Sequence, residues 1–133
     1  MRTALILLAA LLIAGCGSAS GAGAPLPVAE RDFSISAPAR VKPGEVRLAV
    51  RNRGPVAHEL IVVKVGNSQL PLRRDGLTVD EDAVAGRTVA AIEPQRAGER
   101  TVLDVHLTPG RYELFCNMAG HYLGGMHAEL VVH

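Results

Sequence analysis

The chain has 133 residues, 14 of them basic and 13 acidic, with no Trp and 3% aromatic residues. Its length fits one domain. The near balance of charge excludes the basic patch that nucleic acid requires, and so few aromatic rings exclude stacking platforms for bases or sugars.

Residues 1–15 read as a bacterial export signal. Arg2 supplies the positive start, and Ala4 to Ile13 is an unbroken run of Ala, Leu and Ile. That run falls short of the about 20 apolar residues needed to span a bilayer. Ile13-Ala14-Gly15-Cys16 resembles the lipobox of bacterial lipoproteins. The resemblance implies cleavage before Cys16, acylation of its thiol, and a location at the periplasmic or extracellular face of a bacterial membrane. The alternative is an ordinary secretory signal with Cys16 incidental. Gly17 to Pro27 is mostly Gly, Ser, Ala and Pro, the composition of a flexible tether. The expected organisation is therefore a signal peptide at 1–15, a lipidated Cys16 with tether at 16–27, and one folded domain at 28–133. Loss of Arg2 with the signal leaves 13 basic against 13 acidic residues.

The folded region shows short apolar-polar alternations separated by turn residues. Arg31 to Ser36 alternates and predicts a strand. Ala37 to Gly44 holds two Pro and a Gly and predicts a turn. Glu45 to Arg51 has period two, with Val46, Leu48 and Val50 on one face. Asn52-Arg53-Gly54-Pro55 breaks that strand. Leu60 to Val65, interrupted only by Lys64, reads as a strand buried on both faces for most of its length. Residues 66–98 are the hardest to read. Gly66-Asn67 and Pro71 suggest a loop, and Arg73 to Val84 is a polar stretch holding a helical turn or an excursion between sheets. Its acidic trio, Asp80-Glu81-Asp82, reads as a solvated loop, and Thr88 to Ile92 as a short strand. Thr101 to Leu107 alternates, Thr108-Pro109-Gly110 turns, and Arg111 to Cys116 is a strand with Tyr112, Leu114 and Cys116 on one face. A Gly-rich loop spans Asn117 to Met126, and His127 to Val132 closes the chain as a strand. The pattern predicts an all-β sandwich of about seven to eight strands.

Chemistry concentrates in the last loop. Cys116, His121 and Met126 stand at five-residue intervals, and Gly120, Gly124 and Gly125 let one loop turn them onto a point. Soft sulfur with imidazole suits copper, which cycles between Cu(I) and Cu(II). Zinc accepts Cys and His but has little use for Met. A metal-held thiolate also accounts for a second cysteine in an exported chain better than a disulfide from Cys16 in the tether to Cys116 in a core strand. His58 is the candidate for the fourth ligand. It lies at the mouth of the apolar strand and just after the Gly54-Pro55 turn. Alone, such a His is more often structural; beside the Cys-x4-His-x4-Met loop it reads as a ligand.

These residues resemble the blue copper proteins, or cupredoxins. The resemblance covers most of residues 44–133 and is strongest at 52–63 and 108–132. The loop spacing is similar to that of the auracyanins, rusticyanins and sulfocyanins. Asn52 to His58 also looks like the family's approach to its first His. The resemblance implies a Greek-key sandwich or barrel and one copper ion. His58, Cys116 and His121 would be near-trigonal ligands and Met126 the weak axial one. It further implies a monomeric single-electron carrier with His121 as the port, a redox protein such as a cytochrome or oxidase as partner, and no enzymatic activity. The uncharged rim of Met118, Ala119, Gly120, Tyr122, Leu123 and Gly124 suits a transient redox contact. Glu59 departs from the pattern, since Asn or Ser commonly follows the first His, and this leaves the bracing and the potential of the site open.

Other ligands and functions fit less well. Met118 has little chain between it and Cys116 to reach an axial site. His127 should point away from Met126, His106 should lie on the surface, and His133 is terminal and reads as disordered. A copper carrier or buffer would use the same ligands and is the alternative function. A thiol enzyme built on Cys116 leaves Met126 unexplained, and no orienting Asn or Asp is evident. Copper oxidases and nitrite reductases need further His clusters that the chain lacks.

Overall fold

The computed structural model describes residues 23–133. The export signal, Cys16 and the first part of the tether lie outside the described residues. Nine strands form: β1 Leu26–Arg31, β2 Ser34–Ser36, β3 Arg40–Val41, β4 Gly44–Asn52, β5 His58–Val65, β6 Thr88–Gln95, β7 Arg100–Leu107, β8 Gly110–Phe115 and β9 His127–Val132. One short helix, α1 Glu81–Val84, runs into a 3-10 turn at Ala85–Arg87. Among the described residues no helix is long and apolar enough to cross a membrane.

The strands build an all-β sandwich. One sheet has the order β2-β1-β4-β7, the other β3-β9-β8-β5-β6. The chain crosses between sheets from β2 to β3, back from β3 to β4, over again from β4 to β5, back from β6 to β7, and once more from β7 to β8. Period-two patterning explains the inner faces. Val46, Leu48 and Val50 of β4 and Tyr112 and Leu114 of β8 meet Leu60, Val62, Val105, Leu107 and Leu130 in the inter-sheet core. Cys116 continues the β8 parity and joins this core.

β5 is buried on both faces because a second core covers its outer side. Ile61 and Val63 pack there with Leu70, Val79, Val84 and Phe115. Phe115 belongs to neighbouring β8, whereas Leu70, Val79 and Val84 come from the segment between β5 and β6, which crosses the outside of the five-stranded sheet. The acidic trio within it is structural, not merely solvated. Asp80 caps α1, its Oδ1 accepting from the Ala83 N–H at 3.3 Å, and Glu81 and Asp82 fill the first turn.

Five other expectations shift. The tether is expected to reach residue 27, yet β1 begins at Leu26. Pro27 fits there because β1 pairs with β4 over this stretch, while β2 joins only from Ala29. Arg31 to Ser36 is not one strand, since Asp32 and Phe33 form the turn between β1 and β2. The predicted turn 37–44 contains β3, which pairs in parallel with β9. The Val41 carbonyl accepts from the His133 N–H at 3.2 Å, so the backbone of that terminal residue is tied down. Finally, β6 runs on to Gln95, because Pro94 needs no ladder donor on a strand that pairs only with β5.

Candidate metal centre

His58 opens β5 and is held from three directions. Asn52 organises the preceding turn: its Oδ1 accepts from Gly54 N–H at 2.8 Å, and its Nδ2 donates to the carbonyls of Val56 at 2.7 Å and Gln95 at 2.9 Å. The pairing of β5 with β6 slips between His58 and Leu60, an irregularity of the kind that re-aims side chains beside functional sites. Asp32 completes the hold, with Oδ1 3.0 Å from His58 Nε2. A Cβ on Gly54 would lie 2.6 Å from that Nε2 and 2.7 Å from the Asp32 oxygen, so only glycine fits this approach.

The loop from Asn117 to Met126 is pinned by its own backbone. His121 N–H donates to Met118 O at 2.8 Å, Gly124 N–H to Gly120 O at 2.9 Å, and Met126 N–H to His121 O at 2.9 Å. Cys116 N–H donates to Met126 O at 3.1 Å and closes the loop at its base. Gly120 at φ 80° and Gly125 at φ 102° occupy the left-handed region that a side chain would resist.

This folding brings three of the four expected ligands together. One donor atom each from His58, Cys116 and His121 lies within 4.8 Å of the others. His121 Nδ1 is 3.4 Å from Cys116 Sγ, and the two imidazole rings sit edge to face with centroids 5.3 Å apart. Met126 is fully buried in the apolar cluster that includes Cys116. Met118 packs on the rim of that cluster and is only partly buried. The remaining histidines lie elsewhere. His106 pairs with Glu45 on the surface, at 2.6 Å, and His127 faces Glu113 at 3.2 Å.

The electrostatics suit a cation. Burial pushes His58 below the ordinary imidazole value and outweighs the opposing pull of Asp32. Burial thus favours the neutral form of the His58 ring, and its Nδ1 has no hydrogen-bond partner. Burial likewise pushes the Cys116 thiol up, while N–H groups of Glu59 and Met118 donate to the sulfur and Glu59 and Glu30 add negative charge. Glu59, the residue that breaks the family pattern, therefore still supplies the backbone donor. Its carboxyl is pushed up, chiefly by burial, and accepts from the Asn117 backbone N–H. An orphan imidazole nitrogen beside a buried thiol is the chemistry a thiophilic metal satisfies.

Sequence reasoning missed two residues here. Asp32, read as part of a strand, does orient His58, which restores the geometric element a thiol enzyme would need. Cys116, however, is fully buried and its thiol is pushed up rather than down, the opposite of an activated nucleophile. Asn117 is the other: its side chain ties the loop to residues 79–81. Asp32 gives no signal in the sequence, whereas an Asn directly after the cysteine is a visible but ambiguous one.

No protein-family model matches the sequence, and no characterised protein matches it significantly. Solved structures do match the fold. Na-dithionite-reduced auracyanin from the photosynthetic bacterium Roseiflexus castenholzii gives a TM-score of 0.61 at 18% identity, over 85% of this chain and 99% of that one. Reduced rusticyanin gives 0.59 at 19% identity, over 80% and 78%. Auracyanin A, a "blue" copper protein from the green thermophilic photosynthetic bacterium Chloroflexus aurantiacus, gives 0.58 at 20% identity, over 83% and 100%. At these identities the likeness shows the fold, a cupredoxin-like β-sandwich.

Proposed function

We propose that this chain is a type 1 (blue) copper protein that carries single electrons and has no enzymatic activity. The observation that carries the reading is the convergence of buried His58 and Cys116 with partly buried His121 within 4.8 Å, the latter two brought there by a loop that its own hydrogen bonds hold in place. Met126, buried beside Cys116, is the expected axial ligand. Copper, when bound, supplies the one-electron couple between Cu(I) and Cu(II).

The protein's part is to keep geometry constant through the electron's arrival and departure. Asp32 holds His58, two backbone N–H groups steady the Cys116 sulfur, and the backbone of His121 is held by its N–H to Met118 O and by Met126 N–H to its own carbonyl. His121 reaches partial exposure beside the exposed side chains of Phe33 and Leu123. That apolar rim suits a brief contact with a redox protein such as a cytochrome or oxidase. A carrier that hands over copper itself works better with ligands that open easily. The buried His58 and Cys116 favour the electron carrier.

Titration of the purified chain with Cu(II), followed in the visible, tests this reading. An intense thiolate-to-copper band at one copper per chain is expected, and its disappearance in Cys116→Ser. A colourless protein, or copper lost rapidly to a chelator, would sink the assignment.

The same reading places the domain outside a bacterial membrane on a lipid attached to Cys16. The short apolar leader ending at Ile13-Ala14-Gly15-Cys16 supports it. An intact-mass measurement of the protein from its own membrane should find a chain beginning at Cys16 and carrying acyl groups. A leaderless chain without added mass argues for plain secretion.

A further inference from the structure

Phe33 has φ 61° and is the one non-glycine residue with a positive φ among the described residues. A bulky side chain in that region is strained and persists only where its surroundings enforce it. Burial of the ring does not explain it, since Phe33 is 54% exposed. What the turn achieves is contact with both imidazoles from the opposite sheet. Asp32 meets His58, and the Phe33 ring packs edge-on against His121 with centroids 5.6 Å apart. The ring also sits where a Cβ on Gly124 would collide with it. The Asp32 carboxylate makes no other side-chain hydrogen bond or ion pair among the described residues.

We propose that Asp32 is a positioning residue for the metal centre. It accepts the Nε2–H of His58, so that the ring is held in one tautomer with Nδ1 bare. Its negative charge makes that nitrogen a stronger donor to the higher oxidation state of a bound metal. The buried, unpartnered Nδ1 is the nitrogen this tautomer leaves free. The second half of the proposal rests on the copper reading; the first half does not.

Two substitutions separate hydrogen bond from charge. In the ¹⁵N-labelled, metal-free full chain, the His58 ring should show a single Nε2–H tautomer. Asp32→Leu should convert it to a mixture or to the Nδ1–H form. Asp32→Asn retains an accepting oxygen and should preserve the tautomer while removing the charge. In the copper-loaded chain, Asp32→Asn should weaken Cu(II) relative to Cu(I) by about tenfold, a shift of about 59 mV to more positive potential for one electron. A tautomer unmoved in Asp32→Leu overturns the positioning role, whatever copper does. A potential unmoved in Asp32→Asn overturns the charge effect. A wild-type chain that takes up no copper defeats the functional reading instead, and the tautomer still decides the role of Asp32.

Discussion

Asn117→Ala is expected to destabilise the protein by about 3 kcal/mol and to loosen the segment between β5 and β6. Three bonds converge on this side chain. Its Oδ1 accepts from Val79 N–H at 2.6 Å, and its Nδ2 donates to Val79 O at 3.1 Å and to Glu81 Oε1 at 2.6 Å. Val79 is fully buried, so alanine leaves a backbone donor and a backbone acceptor dry and unpaired. Each such orphan costs about 1–3 kcal/mol. Among the described residues, only one backbone–backbone bond joins the segment to the metal loop, from Gly120 N–H to Leu77 O at 3.0 Å. Urea unfolding of the variant should show the loss. Hydrogen exchange should rise first at residues 77–87, and copper should leave the loaded protein faster. Wild-type stability would show that the latch is not what holds the segment.

That latch also explains why the part of residues 66–98 that precedes β6 resists reading. Regular elements announce themselves through periodicity, because one backbone repeat places every second side chain on a face. This segment is held instead by side-chain bonds to single backbone groups and by a few apolar anchors, Leu70, Val79 and Val84. Neither leaves a period. The two-faced burial of β5 is legible, and it does imply a cover, but not which residues provide it.

The metal centre divides in the same way. Cys116, His121 and Met126 share one loop, so their types and intervals speak together. His58 is legible only in the company of that loop, because a His at a strand mouth is by itself more often structural. Asp32 belongs to the other sheet, 26 residues before the ring it meets, and a carboxylate in an alternating stretch reads as surface. Phe33 opposes its own propensity, because a residue with positive φ in a two-residue turn is usually Gly or Asn. Local rules fail at Phe33 because the turn there serves a contact with the site rather than the hairpin.

Glu30 carries the other large effect, a loss of stability as pH rises. The side chain points inward from β1, is fully buried, and neither carboxyl oxygen has a hydrogen-bond partner. Burial, and after it the charge of Glu59, raise its pKa from 4.5 to about 7. The folded chain therefore binds this proton more tightly than the unfolded chain. Its contribution is fully favourable below the unfolded value, declines as pH rises between 4.5 and about 7, and levels off above that. The whole change amounts to about 3 kcal/mol, because each tenfold gain in proton affinity is worth about 1.36 kcal/mol. Glu30→Gln keeps the shape and removes the ionisation. The stability difference between variant and wild type, from urea unfolding of the metal-free chain, should swing by about 3 kcal/mol toward the variant between about pH 4 and about pH 8. Parallel pH profiles would mean that the Glu30 carboxylate finds a partner in solution. The backbone of the residue is needed in either case, because its carbonyl accepts from Arg53 N–H at 2.8 Å and seats the turn that leads to His58. The strand position is thus fixed by the site, and the uncompensated carboxyl is the part that substitution can remove.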